Sequence, residues 1–353
     1  MEQFIKDEYI ELSKSYASIC KQSNLSEALG ILGADWNGAW DSFCANQALT
    51  GSKVIERILK EYRSKCAGIR AQWTANNVSE KTYQTAFGAL AEAIQDHVAS
   101  FPDTMPGMYW DDTHNKLIER ADGRKRKPDG CFLADHSAGL LWQNIAIAVE
   151  IKGDSMDGGH DLIRGQLLQD FIDMSEILPR RFMIGLTLGR GSEVHLYVCV
   201  PGGIRIVSLS KLPLLHGTRL LPNRTGAIAD KNLVVKFLLF LHQQFATDCG
   251  YLTGCDSTFP CEFRLSDILG VLQNKNSVLR PSTIIRFNCA YDDAKVLGRH
   301  SYLKGQRTWA YPAQYFYDKR DRPRNAFFKF QWAFDDEPEI SVHQFVLDNG
   351  VPH

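Results

Sequence analysis

Residues 145–152 read IAIAVEIK, and this stretch indicates how the middle of the 353-residue chain folds. Its branched apolar residues recur at every second position, which is the period of a β-strand. The alternation places Glu150 and Lys152 on one face of the strand, opposite Val149 and Ile151. The sequence therefore predicts a strand that carries a carboxylate and a lysine side by side near its end.

A second carboxylate precedes this strand, because residues 127–130 read KPDG and contribute Asp129. Two neighbouring carboxylates offer the hard oxygen ligands that Mg²⁺ and Mn²⁺ prefer. A lysine beside them can orient or help deprotonate the attacking water in metal-assisted phosphodiester hydrolysis. We therefore predict a Mg²⁺ or Mn²⁺ site at Asp129 and Glu150, with Lys152 as a catalytic residue. The alternative is a structural ion pair on the same strand face.

This arrangement resembles the PD-(D/E)xK nuclease signature. The resemblance implies a helix after the motif strand, and Gln166 matches the glutamine that many members carry there. It also implies an acid on an upstream helix, for which Glu92 is the candidate, although a surface glutamate is an equally good interpretation. A second Asp-x-Lys at 293–295 shows that the tripeptide alone has little specificity.

The apolar spacing divides the chain into three segments. We expect a helical region over 1–100, a mixed α/β domain over 101–270 and returning strands over 283–353. The middle segment alternates strands with helices, which is typical of an α/β fold. Its further predicted elements are strands at 182–188, 194–200 and 204–209, with helices at 161–178 and 231–246.

The composition is that of a globular protein, with 44% hydrophobic residues, 23% charged residues and a formal net charge of −1. This charge does not indicate a dedicated nucleic-acid binder. The start of the chain has no apolar signal region, and no apolar run is long enough to span a bilayer. We therefore expect an intracellular protein, cytoplasmic or nuclear, with no membrane partner.

Two local features carry less information. The nine cysteines are odd in number and widely scattered without a CxxC pair, which argues against a disulfide framework and a zinc ribbon. The basic run at 124–127 reads RKRK and has a phosphate-binding patch and a nuclear localisation signal as its functional interpretations. On composition we favour a solvated loop.

The last 70 or so residues hold a second set of candidate functional residues. A loop around Gly305 is followed by Lys329 within an apolar strand and by Glu339 at the opening of a predicted helix over 337–343. Loop, strand lysine and helix glutamate follow in the order of the ATP side of a kinase N-lobe. The alternative is an exposed strand lysine and an ordinary acid near a helix N-terminus.

The chain resembles the fungal-type protein kinase family along most of its length. The matching stretches are 126–129, 142–152, 166–167, 179–188, 305–311, 329–332 and 349–352. The resemblance implies ATP as a cofactor, with Lys329 as the ATP-phosphate lysine and Glu339, or alternatively Glu337, as its partner. It also implies that the nuclease-like domain around Asp129 precedes the kinase domain.

Two departures from the family bear on activity. Gln306 and Arg307 stand where Arg-Gly is expected, and the sequence contains no H-R-D catalytic loop and no D-F-G motif. A kinase domain needs roughly 250 residues, far more than 305–353 supply. We therefore expect the front part of a kinase-like protein that does not transfer phosphate. The alternatives are a Mg²⁺- or Mn²⁺-dependent nuclease, whose partner would be a nucleic acid, and a non-catalytic module that binds another protein.

Overall fold

The computed structural model has a mixed α/β fold, as the sequence predicts. It describes residues 2–73, 78–101, 107–113, 116–120, 123–155, 159–175, 180–200, 203–213, 232–245, 250, 262–264, 284–287, 308–316, 322, 324–332 and 340–345.

Helices dominate the first hundred residues, as expected. They are α1 (Glu2–Tyr16), α2 (Leu25–Gly30), α3 (Ala34–Ala45), α4 (Gln47–Thr50), α5 (Ser52–Lys65), α6 (Arg70–Trp73) and α7 (Glu80–Ala99), with a short strand β1 (Cys20–Gln22) after α1. The start of α7 is fixed by Ser79, whose hydroxyl accepts a hydrogen bond from the amide of Thr82 at 3.2 Å. Such a cap satisfies an otherwise unpaired amide of the first turn, and it places Glu80 at the beginning of the helix.

The central sheet has seven strands in the order β1-β9-β8-β7-β6-β5-β2. Its members after β1 are β2 (Tyr109–Asp111), β5 (Gly130–Leu133), β6 (Ile145–Ile151), β7 (Met183–Gly189), β8 (Glu193–Val200) and β9 (Gly203–Lys211). The pairs β6–β7 and β1–β9 are parallel, and the other four pairs are antiparallel. The four strands predicted at 145–152, 182–188, 194–200 and 204–209 are thereby confirmed, with ends that differ by one or two residues.

Helix α8 (Gly159–Met174) links β6 to its parallel neighbour β7 and packs on one face of the sheet. Gly185 of β7 allows this close packing, because a Cβ there would lie 2.6 Å from Leu167 of α8. The opposite face of β6 presents Val149 and Ile151 to a core that also includes residues of α5, α7 and α9 (Leu233–Phe245). A small hairpin of β3 (Ile118–Glu119) and β4 (Lys125–Arg126) stands apart from the seven-stranded sheet. None of the described helices combines the length and apolarity needed to cross a membrane.

A second sheet of five strands, all antiparallel, follows in the order β10-β11-β12-β13-β14. The strands are β10 (Glu262–Arg264), β11 (Ile284–Phe287), β12 (Thr308–Phe316), β13 (Arg324–Trp332) and β14 (Ile340–Phe345). The prediction of a helix through residue 343 is wrong, because 340–345 pair with β13 as a strand. Ile340 and Val342 lie opposite Trp332 and Phe330, so cross-strand pairing of β-formers overrides the acidic start that favoured a helix.

Candidate functional site

The ammonium group of Lys152 lies at a point where three carboxylates converge. Its Nζ is 3.0 Å from Asp129 Oδ2, 3.4 Å from Glu80 Oε2 and 4.0 Å from Glu150 Oε2. It also donates a hydrogen bond to the carbonyl of Ile151 at 2.9 Å. The site therefore joins the beginning of α7, the residue before β5 and the end of β6.

The backbone fixes Asp129 against the end of β6. Its Oδ2 accepts a hydrogen bond from the amide of Ile151 at 2.8 Å, and the next residue, Gly130, pairs with Val149 across the antiparallel ladder. Only glycine fits after Asp129, because a Cβ at Gly130 would lie 2.3 Å from the ring of Trp110. The Pro-Asp-Gly sequence thus has a packing reason as well as a chemical one.

Glu150 is almost completely buried and lies between two cations. Its Oε1 is 3.6 Å from Arg126 Nη2, and its Oε2 is the oxygen 4.0 Å from Lys152 Nζ. Burial raises the pKa of this carboxyl well above its ordinary value, and the nearby Asp129 charge raises it further. A buried acid of this kind favours any additional cation that can approach it.

Arg126 anchors a second layer of the site behind Glu150. Its Nη2 lies 2.9 Å from Asp170 and donates a hydrogen bond to the carbonyl of Gln166 at 2.7 Å. The ring of Tyr9, on α1, lies against the guanidinium at 5.0 Å. Burial raises the pKa of Asp170 to about 7 although Arg126 acts in the opposite direction. Burial therefore outweighs the stabilising charge of Arg126 at this carboxyl.

The pKa shifts of Lys152 and Glu80 follow from the same geometry. Burial alone would lower the pKa of Lys152, but the charges of Asp129 and Glu150 outweigh it and raise the pKa above the ordinary value. Burial raises the pKa of Glu80, while the Lys152 charge lowers it in part. Lys152 therefore keeps its proton at neutral pH.

Three of the four residues predicted for this site, Asp129, Glu150 and Lys152, lie together. The fourth, Gln166, is on α8, but it meets the cluster through its backbone carbonyl, which receives Arg126. Its buried side-chain Oε1 accepts no hydrogen bond from any described residue. No described hydrogen bond therefore ties this oxygen to Asp129, Glu150 or Lys152.

Glu92 is not the helical acid of the site. Its side chain is 55% exposed and lies 3.4 Å from Lys65 of α5. Glu80, three turns earlier on the same helix, occupies that position instead. The Ser79 cap is the signal that could have located it, because the cap fixes the first turn of α7.

Sequence reasoning also missed Asp170 and the separate role of Arg126. Asp170 lies four residues after Gln166, so the two positions share one face of α8. Within the basic run, Arg124, Lys125 and Lys127 are exposed, and only Arg126 turns inward. The three exposed residues agree with a solvated run, but the prediction of a loop is wrong at Lys125 and Arg126, which form β4.

The donor set is chemically appropriate for a hard divalent cation, since three carboxylates meet at one point. That point is held by the Lys152 ammonium, and no group of three or more His, Cys, Asp or Glu side chains within the described residues is arranged to hold a metal ion. Cation binding at Asp129 and Glu150 would require the ammonium to withdraw from them.

The predicted ATP-side residues fall mostly outside the described part of the chain. Lys329 lies in β13, opposite Ala310 of β12 and His343 of β14. Gly305, Glu337 and Glu339 lie outside the described residues.

Comparison with known proteins finds no matching family model, no matching curated protein and no matching solved structure.

Proposed function

We propose that this chain is a fungal-type protein kinase-like protein whose central α/β unit carries a PD-(D/E)xK-type site for phosphodiester hydrolysis. The observation that carries the proposal is the convergence of Asp129, Glu150 and Glu80 on Lys152, at the end of a buried strand. Strongly perturbed carboxyl and amine groups that cluster in this way are typical of functional sites.

The charge balance of the site supports a divalent cation. Two cations, Lys152 and Arg126, lie close to four carboxylates, those of Glu80, Asp129, Glu150 and Asp170. Asp129 and Glu150 would hold Mg²⁺ or Mn²⁺, and Glu80 lies within reach of the same point. When bound, the metal would polarise the phosphoryl oxygen and lower the pKa of water.

The protonation of Lys152 decides between its two predicted roles. Because its pKa is raised, the side chain remains an ammonium and cannot accept the proton of the attacking water at neutral pH. It can orient that water and stabilise the negative charge that develops on the phosphoryl oxygens. The water oxygen attacks phosphorus as its proton passes to solvent, the bond to the leaving ester oxygen breaks and that oxygen takes up a proton, so that a phosphate monoester and an alcohol are formed.

Nicking of supercoiled plasmid and cleavage of short single-stranded DNA and RNA, with Mg²⁺ or Mn²⁺, test the proposal. Asp129→Asn and Lys152→Ala should each lower the cleavage rate at least a hundredfold. Glu80→Gln should lower it roughly tenfold, while Glu92→Gln, a matched change on the same helix, should leave it unchanged. Cleavage that survives both Asp129→Asn and Lys152→Ala would overturn the assignment. A wild-type protein that neither cleaves nor binds either metal would favour the non-catalytic, protein-binding alternative.

A second candidate function is nucleotide binding by the five-stranded sheet. The position of Lys329 on β13, with a paired strand on each side, favours it. A lysine on such a strand can hold the α- and β-phosphates of ATP. Lys329→Ala should weaken binding of an ATP analogue at least tenfold in calorimetry, with Lys60→Ala, an exposed lysine of α5, as the control. Equal affinities of the wild type and Lys329→Ala would exclude this role.

A further inference from the structure

The N-terminal helix α1 contributes a side chain to the acid cluster. Tyr9 lies against Arg126, with the guanidinium carbon 5.0 Å from the centre of the ring. A cation that lies over an aromatic face is attracted by its π-electrons, and the attraction is strongest where water is excluded. Arg126 meets that condition, because its side chain is only 10% exposed.

Helix α1 is seated closely enough on α8 to fix this contact. A Cβ at Gly165 would lie 1.9 Å from the carbonyl oxygen of Tyr9, so the two backbones approach as only a glycine permits. One turn further along α1, the buried Ser13 donates a hydrogen bond to Asp161 at 3.2 Å and accepts one from Arg164 at 2.7 Å. Helix α1 is therefore held on α8 both by close backbone packing at Gly165 and by the hydrogen bonds of Ser13.

The contact with Tyr9 matters for Arg126 because its other partners leave part of its hydrogen-bonding capacity unused. Its Nη1 is buried and has no hydrogen-bond partner among the described residues. Its Nη2 is shared between Asp170, the Gln166 carbonyl and the more distant Glu150. On the side that faces α1, the Tyr9 ring covers the guanidinium group.

We infer that Tyr9 is a positioning residue of the Lys152 site, which holds Arg126 against Asp170 and Glu150 and thereby fixes the carboxylate of Glu150. The inference rests on the proposed function for its effect on catalysis. It does not depend on that function for the position of Arg126. Residues that hold a metal-binding or catalytic side chain in place typically change activity or metal affinity ten- to a hundredfold when replaced.

The test measures the position of Arg126 directly, by its rate of modification with phenylglyoxal in the full chain. Peptide mass spectrometry follows Arg126, and the exposed Arg190 serves as an internal reference. Tyr9→Ala should increase the Arg126 rate, relative to Arg190, roughly tenfold or more, whereas Tyr9→Phe keeps the ring and should restore the wild-type rate. Tyr16→Leu, a buried tyrosine of the same helix, controls for loosening of α1.

Cleavage kinetics provide the second readout. Tyr9→Ala should lower kcat about tenfold with KM changed less than twofold, and Tyr9→Phe should restore kcat. The inference would be overturned if Arg126 were modified at the same rate in Tyr9→Ala as in the wild type. It would also be overturned if Tyr16→Leu raised the modification rate of Arg126 as much as Tyr9→Ala does. An exposed Arg126 in Tyr9→Ala, together with a wild type that does not cleave, would support the positioning of Arg126 and refute the proposed hydrolysis instead.

Discussion

Asp129 Oδ2 accepts two hydrogen bonds, one from Lys152 Nζ at 3.0 Å and one from the amide of Ile151 at 2.8 Å. A single carboxylate oxygen thus fixes both the backbone and the charged side chain at the end of β6. The consequence is that Lys152 cannot be removed without leaving several acids close together, and this can be measured in the folded protein.

Lys152→Met should destabilise the protein by about 3–5 kcal/mol, because it leaves buried carboxylates without their counter-charge. Urea unfolding at neutral pH measures the change. Lys65→Met is the matched control, since Lys65 also contacts two acids, Glu92 and Asp96, but on the exposed surface. Its effect should stay below about 1 kcal/mol.

Mg²⁺ or Mn²⁺ should restore part of the stability of Lys152→Met. The substitution empties the point at which Asp129, Glu150 and Glu80 converge, and a divalent cation can then neutralise them. The melting temperature of Lys152→Met should therefore rise with added metal more than that of Lys65→Met. An identical response of the two variants would contradict a cation site at these carboxylates.

Gly165→Ala should displace α1, because its new Cβ would lie 1.9 Å from the carbonyl oxygen of Tyr9. A clash with backbone cannot be relieved by a side-chain rotation, so we expect a loss of about 1–3 kcal/mol. Thermal unfolding measures it. Gly68→Ala is the control, because a Cβ there would meet nothing within 4 Å. Equal stability of both variants would mean that α1 does not sit closely on α8.

The strand that carries Glu150 and Lys152 could be predicted because alternation is a local property of the sequence. The partners of these residues could not, since Glu80, Arg126 and Asp170 come from separate elements that only the tertiary fold brings together. The sequence predicts Glu92 instead of Glu80 because the apolar stripe locates the helix but not its first turn. The helix predicted through residue 343 is wrong for a related reason. Pairing of 340–345 with β13 depends on the tertiary fold and overrides the preference for a helix that the preceding acidic residues indicate.

His242 should make stability depend on pH between about 6.5 and 4. Burial lowers its pKa to about 4, and neither ring nitrogen has a hydrogen-bond partner within the described residues. The unfolded chain therefore binds a proton first as the pH falls, and the free energy of unfolding decreases by up to about 3 kcal/mol across this window.

The raised pKa of Asp170 changes the stability in the opposite direction, so the test compares variants with the wild type. As the pH falls from about 6.5 to 4, His242→Leu should gain up to about 3 kcal/mol of stability relative to the wild type, while His136→Gln, at an exposed position, should follow the wild-type profile. Parallel profiles of His242→Leu and the wild type would mean that this histidine is not buried as a neutral group.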